Sequence, residues 1–377
     1  MIRLDAKMIQ NKIVHLTSVH ARYDTRVFIK MCGSLASYGY DVYLVVADGL
    51  GDEIKNNVKI LDVGKISKGR LQRVTKTVIK VYEQAKNIEA SLYHIHDPEL
   101  IPIGIKLKKA GKRVIFDAHE DFPKQLLSKA YLNAFIRKVL SGLFAIYESQ
   151  VCHKFDAIVA ATPSIQEKFL SINPNTVVVN NYPLIDELTN KGGWSKKQNR
   201  ITYIGAIAER RGIKEIVTAM EYTHDVKLNL AGIFGEKDVE RGVKNQPGWL
   251  KVNEEGFLDR SEVKKLLAMS QAGLVTLHPI ASYIDALPVK MFEYMAASIP
   301  VISSDFPLWV SIIESSQCGL CVNPLDPKAI GKAIQYIIDH PHESEKMGMN
   351  GRRAVEEKYN WSIEEKKLLS LYENLLQ

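Results

Sequence analysis

Residues 283–305, YIDALPVKMFEYMAASIPVISSD, decide how the rest of the chain is read. The stretch opens with a polar loop ending at Asp285. From Leu287 to Ala297 apolar residues recur at helical spacing, with Pro288 in the first turn, where a missing N–H costs nothing. After Ser298 and Pro300, the β-branched run 301–303 predicts a strand. A loop bearing an acid, then a helix start, then a strand make an anion site, because the first-turn amides and the helix dipole point back at the loop. Glu293 falls about one and a half turns into that helix.

The same alternation runs outward in both directions. Short β-rich runs at 13–17, 42–47, 92–96, 114–117, 157–160 and 176–180 are separated by helical patterns such as 26–38 and 100–110. A second set follows at 201–205, 227–232, 272–277, 301–303 and 320–322. Alternating strands and helices predict parallel, doubly wound sheets, and two such sets predict two Rossmann-like domains. The polar, aperiodic segment 186–200 (DELTNKGGWSKKQNR) reads as the linker between domains at 1–185 and 201–360. The chain ends on WSIEEKKLLSLYENLL, an apolar-periodic helix for which Ser362 and Glu365 offer a capping box.

A length of 377 residues suits two ordinary domains, and 46% apolar with 25% charged residues is typical of a globular protein. No apolar run reaches the roughly 20 residues needed to span a bilayer. The N-terminal MIRLDAKMIQNK lacks an apolar signal core, which predicts a cytoplasmic protein. The four cysteines suit a reducing compartment, and Cys318-Gly-Leu-Cys321 reads as core strand because it has no partner pair. Charge is uneven: 26 lysines and arginines face 17 acids over residues 1–185, against 24 facing 26 over the remainder. A basic first half suggests an anionic partner such as a membrane surface. Its cations cluster at Lys65, Lys68, Arg70, Arg73, Lys76 and Lys80, and again at Lys106, Lys108, Lys109, Lys112 and Arg113. The apolar stretch 131–147 (YLNAFIRKVLSGLFAIY) reads as a core helix, with an interfacial helix as the alternative.

The spacing Asp285-x7-Glu293, followed by Met-Ala-Ala-x-x-Pro-Val-Ile, resembles the donor-sugar motif of the family-4 retaining glycosyltransferases, and the likeness extends over nearly the whole chain. The resemblance implies a GT-B fold, with two Rossmann-like domains facing across a cleft and helix 361–377 crossing back onto the first. It further implies retaining, metal-independent transfer of a hexose or N-acetylhexosamine from a nucleotide sugar, with a UDP-sugar expected. The acceptor would be a glycan or polyprenyl-diphosphate-linked saccharide in bacterial surface-polysaccharide synthesis, at the inner membrane face. No cofactor and no nucleic-acid partner are implied. An epimerase on the same fold, or a weakly catalytic partner subunit, stays open.

Residue by residue, the likeness gives Glu293 the ribose hydroxyls, a fitting task for an acceptor-only carboxylate. Asp285 takes the donor-sugar slot, one methylene shorter than the usual glutamate. In YIGAIAERRGI, Gly205 ends a strand and Arg211 takes the place of a lysine that neutralises the leaving diphosphate. Ala206 stands where many members carry arginine, so Arg210 is a candidate substitute. Lys290 and the amides around Pro288 and Val289 could join the same cradle, although Lys290 alone reads as a solvated helix lysine. His119, in FDAHEDFP, matches the active-site histidine beside sugar and acceptor, in a cluster with Asp117, Glu120 and Asp121. His20, Asp24 and Arg26 of the glycine-free loop SVHARYDTR would contact substrate through side chains. Gly256 and Phe257 lie where the base is held. His94 and His96 share a strand face, but with no third ligand and no Asp-x-Asp pair in the chain, no metal is expected.

Overall fold

The computed structural model describes residues 11–65, 73–129, 133–189 and 193–377. Residues 1–10, Lys68, Arg70, Tyr131 and Leu132, and 190–192 of the linker segment lie outside the described residues. The chain divides into two compact units, one running to Asn181 and including Glu364–Gln377, the other Tyr182–Ile363.

In the first unit eight strands form one sheet: β1 Lys12–Leu16, β2 Asp41–Val46, β3 Glu53–Lys55, β4 Val58–Asp62, β5 Leu92–Ile95, β6 Arg113–Ala118, β7 Ala157–Ala160 and β8 Thr176–Val178. Their order is β3-β4-β2-β1-β5-β6-β7-β8, parallel except for the β3–β4 pair. The second unit holds β9 Arg200–Ile204, β10 Lys227–Ala231, β11 Val252–Gly256, β12 Ala272–Val275, β13 Val301–Ser304 and β14 Gly319–Val322. These are all parallel, in the order β11-β10-β9-β12-β13-β14. Each sheet starts at its centre, winds outward one way, then returns and winds the other. The reversal leaves a crevice at the carboxyl ends of β1 and β5 in one unit and of β9 and β12 in the other, where doubly wound sheets take ligands. Two such helix-flanked sheets are the two-domain GT-B fold.

Helices cover both faces of a parallel sheet and bury its strands; β5, β7, β12 and β13 are buried at every position. Four local features differ from the sequence reading. The β3–β4 hairpin was not expected, yet it turns on Asn56 and Asn57, both at positive φ, the conformation a two-residue hairpin loop demands. The helix read at 26–38 is a π-helical run, Thr25–Cys32, leading into the α-helix Gly33–Tyr38. Helix Val289–Ala296 begins after Pro288, which is its N-cap rather than a first-turn residue. The terminal helix Trp361–Leu376 starts before Ser362, and the Asn360 Oδ1 accepts from the Ile363 amide at 3.2 Å. The expected capping box therefore does not form. Glu364 is instead buried, accepting from the Asn180 amide at 2.9 Å.

Candidate functional site

In the second unit the site grows from the end of β9. Gly205 follows the strand at φ +127, in the left-handed region, and a side chain there would press on the Lys290 Nζ at 3.1 Å and approach an Arg211 Nη at 3.8 Å. A Cβ would crowd the Lys290 amine, while Arg211 stays at ordinary contact distance. Arg211 comes from the short turn Glu209–Arg211, which ends at Gly212. A Cβ on Gly212 would lie 2.1 Å from the Thr276 carbonyl oxygen, so this turn is pressed against the end of β12. Lys290 comes from the first turn of helix Val289–Ala296, and that helix is fixed to the sheet by Tyr294, whose hydroxyl accepts from the Ile204 amide at 3.1 Å.

Lys290 is not the solvated lysine that its sequence setting suggested. Its stem is half-buried, but its Nζ is shut off from water, lies 4.0 Å from the centroid of the Tyr203 ring and has no hydrogen-bond partner. Burial, helped by the like charge of Arg211 and opposed by Glu293, lowers its pKa to about 7. The structure thus brings a desolvated amine and a guanidinium together around a bare glycine at the end of β9. Arg210, the expected substitute for the arginine missing at Ala206, is exposed. The cation that lies with Arg211 at Gly205 is Lys290.

Glu293, on the same helix, is buried, and its Oε1 accepts from Arg260 at 2.7 Å. Arg260 is in turn gripped by both oxygens of Glu187, at 2.6 and 2.7 Å. Sequence reasoning missed Arg260 and Glu187. They are 73 positions apart, and only the fold brings them to the motif acid. Asp285 closes the short helix Ala281–Ile284, and the adjoining loop is pinned by Trp309, whose indole N–H donates to the Ala286 carbonyl at 2.7 Å. A cavity of about 300 Å³ opens beside the cradle at the ends of β9, β10 and β11, lined by Gly205, Ala206, Gly232, Ile233, Phe257 and Leu258 among others. Phe257 stands 75% exposed at this cavity, a flat apolar face free to stack.

The first unit treats its candidates differently. Arg26, expected to face substrate, turns inward: its Nε and Nη2 bind both oxygens of Asp117 at 3.1 and 2.7 Å, and its Nη1 donates to the Val179 carbonyl at 2.9 Å. Asp117 is likewise committed within the core, because its Oδ2 also meets the His96 Nδ1 at 3.0 Å. Burial alone would raise the Asp117 pKa, but Arg26 and His96 hold it well below the usual carboxylate range. Asp121 caps the helix Phe122–Leu127 and pairs with Lys168 at 3.0 Å, while Glu120 is exposed. The group that does meet His119 is His20, edge to face at 5.0 Å between ring centroids. His20 lies 3.4 Å from both Asp24 and Asp97, and although burial opposes its charge, the Asp24 hydrogen bond and the nearby carboxylates raise its pKa. The Nδ1 of His119 is buried and unpartnered.

Beneath them a polar chain runs through the sheet. His15 of β1 lies opposite His94 of β5 and supplies the third imidazole that sequence spacing left undefined beside His94 and His96. From Asp117 the chain passes through His96 to His15 (2.8 Å), to the Tyr372 hydroxyl (3.2 Å) and on to His94 (2.7 Å). If His96 donates to the Asp117 carboxylate, each following donor is fixed in turn, and the His94 Nε2 is left as a bare lone pair; that atom has no partner. Two nitrogens 2.8 Å apart share a proton, whereas two ligands of one tetrahedral zinc ion lie further apart, given zinc–nitrogen bonds of about 2.0–2.1 Å. Burial keeps all three imidazoles below their ordinary pKa.

Known proteins resemble the chain along both units. Residues 25–181 match the model of "Glycosyltransferase Family 4", and residues 185–354 match "Glycosyl transferases group 1". A D-rhamnosyltransferase, WbpZ of Pseudomonas aeruginosa, is 22% identical over 86% of this chain and 85% of its own length. The capsular polysaccharide glycosyltransferase CapM of Staphylococcus aureus is 23% identical over 47% of the chain. The chain spans about half the length of CapM and of a glycosyltransferase from Methanocaldococcus jannaschii that is 27% identical over 184 residues. Among solved structures, sucrose-phosphate synthase of Thermosynechococcus elongatus superposes with a TM-score of 0.76 at 17% identity, covering 97% of this chain and 99% of that one. Anabaena HepE in complex with UDP-glucose gives 0.74 at 14% identity, covering 97% and 100%. With one family model on each unit and the fold shared throughout, the chain has the GT-B fold and is related to the group 1 and family 4 glycosyltransferases.

Proposed function

We propose that the protein is a retaining, metal-independent glycosyltransferase that moves a hexose or N-acetylhexosamine from a nucleotide sugar to a glycan or lipid-linked saccharide acceptor. The observation that carries this reading is the unpartnered Lys290 amine beside Arg211 at the bare Gly205. Two cations at the end of a strand would neutralise the charge that grows on a departing diphosphate, and they would do so with little reorganisation, since the fold already holds them there. Glu293, steadied by Arg260, would accept from the ribose hydroxyls, Phe257 would stack on the base, and Asp285 would read the donor sugar. His119, with His20 against its ring, would orient the acceptor hydroxyl, which enters on the face the nucleotide leaves. UDP is the nucleotide we favour, because HepE is a structural neighbour in complex with UDP and with UDP-glucose. Surface-polysaccharide synthesis is supported by the likeness to CapM, a capsular polysaccharide biosynthesis glycosyltransferase, read together with the donor motif.

The test is a thermal-shift screen against UDP-, GDP-, dTDP- and ADP-sugars, followed by nucleotide-release assays with and without glycan acceptors. A donor at 100 times its dissociation constant should add about 2.7 kcal/mol of stability. Release that requires acceptor, persists in EDTA and yields the donor's anomeric configuration supports the reading. Donor turnover without acceptor points to an epimerase instead, and the absence of a shift with any nucleotide sugar sinks the proposal.

A further inference from the structure

The helix Ala134–Cys152 was read from sequence as part of the core, and the structure overturns that. Glu148 and Cys152 are its buried residues. Phe135 is 74% exposed, Leu143 60% and Ile146 57%, and Ile136, Val139 and Leu140 are each at least 40% exposed. Positions 135, 139, 143 and 146 follow one another at helical spacing, and 136 and 140 run alongside, so the six make one continuous apolar face about 17 Å long. The helix is nonetheless firmly held from its other side. Phe144 packs on the Phe122 ring at 4.5 Å, the Ser141 hydroxyl donates to the Pro123 carbonyl at 2.9 Å, and Tyr147 and Val151 rest on the unit's core. A face this apolar, presented to water on a fixed helix, marks an interaction surface.

Charge decides between occupants. From Phe122 to Tyr147 the sequence carries Lys124, Lys129, Arg137 and Lys138 and not a single acid. A second copy docking face to face would bring two such basic patches together, which an isologous contact must then neutralise. Spanning a bilayer is not an option, since no helix among the described residues is long and apolar enough to cross one. An apolar stripe flanked by cations on a helix that cannot span suits a helix lying in the plane of an anionic lipid surface, its apolar face sunk to the acyl boundary. We propose that this helix is a membrane-docking surface that seats the protein on anionic lipid. The inference does not rest on the identity of donor or acceptor.

The test is flotation of the full chain with vesicles of phosphatidylcholine alone or mixed with phosphatidylglycerol, at low and high salt. We expect binding to the mixed vesicles that weakens as salt rises. Replacing exposed side chains spares the fold, so Phe135→Gln with Leu143→Gln should leave the melting temperature unchanged and weaken binding at least tenfold through lost apolar burial. Lys138→Glu should weaken it about fivefold for each charge removed, with the effect confined to anionic vesicles. The proposal is overturned if the wild type ignores both vesicle types. It is equally overturned if the apolar double variant binds like the wild type, or if light scattering shows a dimer that this double variant splits.

Discussion

The two sheets wind alike, but they finish their switch points in opposite ways. At the first, the charged groups are mutually satisfied: Arg26 holds Asp117, Asp117 holds His96, and Asp97 accepts from the Ser18 amide at 2.6 Å and the Thr17 hydroxyl at 2.9 Å. At the second, a buried amine has no partner and a cavity stands open beside it. A buried network whose charges are paired contributes rigidity and has little left to offer a charged ligand, even with the neutral His94 Nε2 unpartnered at its end; an unpaired buried amine costs stability that a ligand can return. The comparison separates scaffold from site within one architecture. It also leaves the exposed side of the first unit's switch point, His20 and His119, as the part of that unit with free capacity.

The largest effect expected is on the scaffold side. Asp117→Asn would leave the Arg26 guanidinium buried without its counter-charge, which typically costs about 3–5 kcal/mol. Denaturant melts should show the loss with or without UDP-sugar present. A variant as stable as the wild type would mean that Arg26 is not held by charge, and the contrast between the two switch points would lose its basis.

On the site side the loss should appear in rate. Arg211→Ala removes a cation whose interaction strengthens as the diphosphate departs, so kcat should fall about 10²–10³-fold, or roughly 2.7–4 kcal/mol, while donor affinity changes less. Stability should hardly move, because Arg211 is half-buried beside open space. An unchanged kcat would mean that Arg210, Lys290 or another cation holds the leaving group.

Next in size is the division of labour along the motif. Glu293→Gln should weaken UDP and UDP-sugar alike by about 1.5–3 kcal/mol, the usual loss for a charged hydrogen bond. Asp285→Asn should leave UDP affinity nearly intact and lower turnover with the full donor. Titrating both variants with both ligands checks this, and equal losses throughout would show that the two acids do not divide sugar from ribose.

Repeating patterns were legible in the sequence because they are local. The β-branched runs and their helical spacers marked eleven of the fourteen strands among the described residues to within a few residues, and the motif helix to within two at its start. The β3–β4 hairpin is too short to show a period, although its Asn-Asn turn was a usable signal. Burial at the site was not legible. Nothing near Lys290 in sequence says that Tyr203 and Gly205 will close over it, nor that Asp117 will turn toward Arg26, 91 positions away. The exposed helix at Ala134–Cys152 misled for the same reason, since apolar periodicity reports a face and not what lies against it.

The smallest effect is the one that most directly reports the unsatisfied amine. In the empty site the Lys290 pKa is about 7, so the side chain is charged below that pH and neutral above it. A bound diphosphate favours the ammonium and raises that pKa. Below pH 7 the amine is charged with or without ligand, and affinity should not depend on this group. Above pH 7 binding must take up a proton, so affinity should fall toward a limit of tenfold per pH unit, about 1.4 kcal/mol, until pH reaches the bound-state pKa. Using an intact nucleotide sugar rather than UDP keeps a titrating terminal phosphate out of the measurement. Calorimetry at pH 8 in two buffers of different ionisation heat should then register uptake of close to one proton. Lys290→Met should abolish the uptake and flatten the pH profile. It should also leave the empty protein as stable as the wild type or more so, because it removes a buried amine that has no partner. Binding at pH 8 without proton uptake would mean that Lys290 keeps one protonation state throughout, so that the diphosphate does not complete this amine and the contrast between the two switch points does not rest on it.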